Sequence, residues 1–149
     1  MGHGTFSSAA YTTLSNERSY ATKSAREIFG QELHEEMNPL GVEIRESRDS
    51  EEHPNSIAIQ VWLDVTGSMH RIPENLVKES LPHLMLDIMD AGVDDPQLFF
   101  GAIGDHTCDR SPLQVGQFES DTELIVKWLT NSHLEGGGGG NDGESYLLA

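Results

Sequence analysis

Apolar positions recur along this chain with two periods, and each period marks its own elements. Ile28, Phe29, Leu33 and Met37 fall at helical spacing and stop at Asn38-Pro39, which predicts a helix over 24–37. Val42 to Glu46 alternates and predicts a short strand; the charged stretch 48–56, with Pro54-Asn55, reads as a loop. The run from Ile57 to Val65 is almost continuously apolar, as expected of a central strand covered on both faces in a parallel sheet. Leu76, Val77, Leu81, Leu84, Met85, Ile88 and Met89 then share one face of a helix over 73–91, with Gly92 at its C′ position and Pro82 predicting a kink. A second buried strand is expected over 97–104. The order strand, helix, strand makes a right-handed crossover that sets the two strands parallel and adjacent. Leu113 to Phe118 predicts a shorter strand paired as a hairpin. Ser120-Asp121-Thr122-Glu123 reads as a capping box opening a helix that carries Leu124, Ile125, Trp128 and Leu129.

These elements define an α/β class, a mostly parallel sheet flanked by helices. Residues 1–22 show no clean period and form an arm, disordered or docked. Residues 23–56 hold the first helix, the short strand and the loop, and 57–149 form the main domain. After the glycine run Gly136 to Gly140, residues 144–149 read as the first turns of another helix.

Charge narrows the partners. The net charge of −16 over 149 residues disfavours nucleic acid and anionic membranes and favours cations and basic surfaces. A single cysteine, Cys108, excludes an internal disulfide. The amino terminus lacks a basic segment followed by an apolar one, and no apolar run approaches about 20 residues, so a cytoplasmic location is expected.

The chemistry concentrates at Asp64-Val65-Thr66-Gly67-Ser68-Met69. Asp64, Thr66 and Ser68, on a turn off the carboxyl end of a buried strand, offer one carboxylate and two hydroxyls to a common point, an oxygen set that suits Mg²⁺ or Mn²⁺. The plainer reading is a cluster that caps the following helix. Parallel strands bring their carboxyl ends to one edge of the sheet, so Asp105, closing the second strand, is expected beside the same site as a ligand or a partner through water.

The 64–69 loop resembles the metal-ion-dependent adhesion site (MIDAS) of von Willebrand factor type A (vWA) domains, whose first loop reads Asp-x-Ser-x-Ser or Asp-x-Thr-x-Ser. The order of elements over 57–149 is similar to that of a vWA domain. Arg45 to Ser50, Asp64 to Met69, Gly101 to His106 and Gln114 to Ser120 resemble bacterial and phage vWA proteins. The resemblance implies a vWA-like, Rossmannoid sheet and a second, Gly-rich metal loop at 135–145. No Thr stands where many vWA domains place a ligand there, which leaves Asn141, Asp142, Glu144 and Ser145, with Asp142 or Ser145 preferred. A further helix, a strand and a third loop with an Asp are also implied. None follows Ala149, so the expectation is a piece of a larger domain, or one completed by another chain.

The function implied is binding rather than catalysis: Mg²⁺ or Mn²⁺ held by Asp64, Thr66 and Ser68, with an open position filled by a partner's Glu or Asp. A MoxR-type AAA+ ATPase is one implied partner, and a virion-associated role is implied if the chain is phage-encoded. The rival reading is a structural or assembly scaffold in which the metal is incidental. Asp64-x-Thr66 is also similar to the Asp-x-Asp start of haloacid-dehalogenase phosphatases, but Thr66 stands where the acid/base carboxylate is needed. No phosphate-binding Gly-Lys loop or nucleophile elbow is present, and Asp105-His106-Thr107-Cys108-Asp109 matches no standard zinc spacing.

Overall fold

A computed structural model of the chain describes residues 4–135. Three strands, β1 (Ile57–Asp64), β2 (Pro96–Ile103) and β3 (Leu113–Val115), lie in the order β1-β2-β3. β1 and β2 are parallel, from Ile57 opposite Pro96 to Asp64 opposite Ile103, and β3 returns antiparallel against Gly101 to Ile103. Five α-helices accompany them among the described residues: α1 (Ser8–Glu17), α2 (Ala25–Ile28), α3 (Arg71–Asn75), α4 (Leu81–Asp90) and α5 (Thr122–Asn131). The class is α/β with a small mixed sheet, and the expected parallel crossover from β1 to β2 is present.

The strand expected at the centre is not there. All eight residues of β2 are buried, whereas β1 buries only Leu63 fully and leaves Ile57 48% exposed. Among the described residues β1 is an edge strand. Its apolar run serves two different surroundings: Ile59, Val61 and Leu63 join the core, while Trp62 lies on the other face against Phe99, 5.1 Å between ring centroids. Trp62 stands opposite Gly101, where any Cβ would run into the indole, so glycine is needed there.

The helix expected over 24–37 is also corrected. Only α2 and a single 3-10 turn, Glu35–Met37, form. Gly30 pairs instead with His133, and its N–H lies 3.1 Å from the carbonyls of both Thr130 and Ser132 at the end of α5. Phe29 and Met37 still reach the core, but from irregular chain. Val42 to Glu46 forms no strand; Arg45 is tied by its Nε to the Gly116 carbonyl at 2.7 Å. The arm is docked: α1 occupies part of it, and Phe6, Tyr11 and Tyr20 share one core with Leu81, Met85, Phe100, Ile125 and Leu129.

The helical stretch after β1 starts at Arg71 and is not uniform. Between α3 and α4 the residues Leu76–Ser80 wind as a π-helix, with the Leu81 N–H bonded to the Leu76 carbonyl. In that i to i−5 pattern residue 82 would donate to Val77, but Pro82 has no N–H. The Tyr11 hydroxyl of α1 donates to the Val77 carbonyl instead. Gly92, at φ 91°, turns the chain out of the helix. The cap of α5 is Asp121 rather than Ser120: its Oδ1 accepts the N–H groups of Glu123 (2.9 Å) and Leu124 (3.2 Å). No helix of the described residues is long and apolar enough to cross a membrane.

Candidate functional site

β1 and β2 end side by side, and the same local structure follows each. Past β1, Asp64 Oδ1 accepts from the Thr66 N–H at 2.9 Å and the Thr66 hydroxyl at 2.6 Å. Past β2, Asp105 Oδ1 accepts from the Thr107 N–H at 2.8 Å and the Thr107 hydroxyl at 2.6 Å. In each case an Asp carboxylate closes a turn over the residue two further on. Asp105 is 3% exposed, whereas Asp64 and Thr66 are half-buried and Ser68 is exposed in the 3-10 turn Gly67–Met69.

Between these loops the backbone is tied together. Val65 donates its N–H to the Ile103 carbonyl (3.0 Å). Its own carbonyl faces the Glu135 N–H at 3.0 Å and the His70 Nε2 at 3.2 Å, which sets that nitrogen as the protonated one. Glu135 also accepts the Ser111 N–H at 2.7 Å. The chain leaving α5 is thereby fastened to the residue between Asp64 and Thr66. The 104–109 loop is braced likewise: Asp109 Oδ2 accepts the Asp105 N–H at 2.7 Å, and a Cβ on Gly104 would stand 2.6 Å from that oxygen. Cys108 is exposed, but the partial desolvation of its thiol, and then the Asp105 carboxylate beside it, raise that thiol above its ordinary range.

A cavity of about 600 Å³ opens beside these loops, lined among others by Arg26, His70, Cys108, Arg110, His133 and Glu135. Asp64, Thr66 and Ser68 do not line it. Sequence reasoning passed over this cavity, because Arg26 and His133 come from segments whose pairing through Gly30 has no local signature.

The structure thus places Asp64, Thr66 and Ser68 on one loop and Asp105 past the end of the adjoining strand. Asp142 and Ser145, with the rest of the expected second loop beyond Glu135, lie outside the described residues. Among the described residues no three His, Cys, Asp or Glu side chains gather as a metal-binding group. A set built on one carboxylate and two hydroxyls contains only one such side chain. Comparisons with family models, curated proteins and solved structures found no match for this chain.

Proposed function

We propose that the loop edge after β1 and β2 is a metal-dependent protein-binding site of the vWA type. The observation that carries this reading is the Asp64–Thr66 turn, set at the carboxyl end of a parallel strand with Ser68 exposed beside it. Asp64 Oδ1 is taken up by Thr66, and its Oδ2 accepts no hydrogen bond among the described residues. That oxygen, the remaining lone pairs of the Thr66 hydroxyl and the Ser68 hydroxyl are the groups that would hold Mg²⁺ or Mn²⁺, hard ions that prefer oxygen ligands. Asp105 would add negative charge from the next strand, and Asp142 or Ser145 would complete the ligand set. The ion would supply a Lewis-acidic position for a carboxylate of the partner, as an adaptor to an AAA+ ATPase or another assembly would require. The chain's part is to orient the oxygens, and Thr66 does so by fixing the Asp64 carboxylate.

One observation favours the scaffold reading instead. The Thr66 N–H and hydroxyl already satisfy Asp64 Oδ1, so the turn closes without any ion. Calorimetric titration with Mg²⁺ and Mn²⁺ separates the two. The metal reading expects binding by the native chain and its loss in a folded Asp64→Ala variant. Absence of binding at millimolar ion in the native chain would leave the scaffold reading in possession.

A further inference from the structure

The cavity of about 600 Å³ beside the 64–69 and 104–109 loops has the size that holds a small organic molecule. Its lining is cationic where the chain as a whole is not. Arg26 and Arg110 are two of only nine Lys and Arg residues in a chain of net charge −16, and both line it. They reach it from distant segments, Arg26 from α2 and Arg110 from the loop after β2.

Neither guanidinium is used up within the protein. Other cationic side chains are ion-paired: Arg18 with Glu123, Arg48 with Glu46, Lys78 with Glu74 and Lys127 with Glu36. The Arg110 side chain makes no hydrogen bond or ion pair among the described residues. Arg26 spends only its Nε, on the neutral Gln31 Oε1 at 3.3 Å, and that amide is itself fixed by the Phe29 carbonyl at 3.0 Å. The two carboxylates of the same lining do not take the guanidiniums up. Asp109 Oδ2 accepts the Asp105 N–H and Glu135 Oε1 accepts the Ser111 N–H, each at 2.7 Å. The second Glu135 oxygen stands 3.6 Å from His133 Nε2. An exposed arginine by itself is an ordinary solvated charge. Two of them line one cavity here, with the acids beside them committed to backbone, and that is an arrangement left open for an anion from outside.

We propose that this cavity binds a small organic anion, a carboxylate or a phosphate ester, whose oxygens are held by Arg26 and Arg110. Guanidinium forks match the oxygen geometry of both head groups, and Gln31 holds one fork in place before the ligand arrives. Phe29 and Leu134 give the lining its apolar part, against which the carbon body of the ligand lies. The site uses none of Asp64, Thr66 and Ser68, so it does not depend on the metal reading.

Cys108, the single cysteine of the chain, is exposed and lines the cavity, so its alkylation reports occupancy. The test is the rate of that alkylation by iodoacetamide, an uncharged reagent, at pH 8. It is measured against succinate and, separately, against glycerol phosphate, with chloride holding the ionic strength constant. A bound anion shields the thiol and disfavours its thiolate, so the rate is expected to fall and level off at millimolar ligand. The half-maximal concentration is expected to rise by about tenfold or more in Arg26→Gln and in Arg110→Gln, each of which removes charge-assisted hydrogen bonds. Both side chains are exposed, so the variants keep the fold. Slowing by succinate alone assigns a carboxylate, by glycerol phosphate alone a phosphate ester, and by both their shared chemistry. No saturable slowing by either probe, or an unchanged half-maximal concentration in either variant, would overturn the site.

Discussion

The Tyr11 hydroxyl donates to the carbonyl of Val77, the acceptor that Pro82 leaves without a partner in the π-helical turn. A residue in the arm thus completes the backbone bonding of the helix that follows the Asp64 loop, 66 positions away.

Removing that hydroxyl is expected to cost more than an average hydrogen bond. Tyr11→Phe leaves a buried carbonyl without a donor, a loss of about 1–3 kcal/mol. Pro82→Ala restores an N–H at the position that faces Val77 O, so it should recover part of that loss in the Tyr11→Phe background. Urea unfolding of the two single variants and the double variant measures the coupling.

Burial, followed by the neighbouring Tyr20 and Glu79, raises the Tyr11 phenol to about 12. The folded state therefore holds this proton more tightly than the unfolded chain, whose tyrosine titrates near 10. The resulting stability is fully present below pH about 10 and disappears as pH rises through about 12. Absorbance at alkaline pH should show one tyrosine titrating late in the native protein, and that step should vanish in Tyr11→Phe.

Asp121, and not Ser120, caps α5. Asp121→Ala is expected to lower stability by about 1 kcal/mol through loss of the two N–H contacts at the helix start. Ser120→Ala should leave the helix start intact and release the Gly4 carbonyl that its hydroxyl holds at 2.7 Å, seen as lower exchange protection at Ser7. Comparing the variants by thermal unfolding and by exchange at Ser7 separates the two roles.

The exposed Cys108 thiol, raised by partial desolvation and by Asp105, should react slowly. Its alkylation by iodoacetamide at pH 8 is expected to be slower than that of a free cysteine, because less thiolate is present. Asp105→Asn removes a negative charge and should speed the reaction. An unchanged rate in that variant would place the cause elsewhere.

The parallel pairing of β1 and β2, the helical stretch between them and the position of α5 were all legible in the sequence, because their apolar residues repeat at the spacing of the element they form. The first third of the chain was not. Phe29 and Met37 carry a helical spacing but reach the core from irregular chain, since Gly30 spends its N–H on the end of α5. Pairings of that sequence separation leave no local trace. The capping stretch was found, but its cap was misplaced by one residue, since Ser120 is engaged by the arm. At the loops, residue types and strand order located Asp64, Thr66, Ser68 and Asp105. The hitch of Glu135 onto Val65 could not be read, because it is a backbone bond.

The exposed flank of β1 has a colloidal consequence. Among the described residues Ile57, Ala58 and Gln60 are open on an edge strand, a template on which other strands can assemble. A net charge of −16 keeps copies of the chain apart at neutral pH and low salt. Screening by about 1 M salt shortens the reach of that repulsion to about 3 Å. Acidification neutralises the carboxylates that generate it. Under either condition the edge meets its own kind at contact distance, and the strand that carries Asp64 becomes the seam along which this protein precipitates.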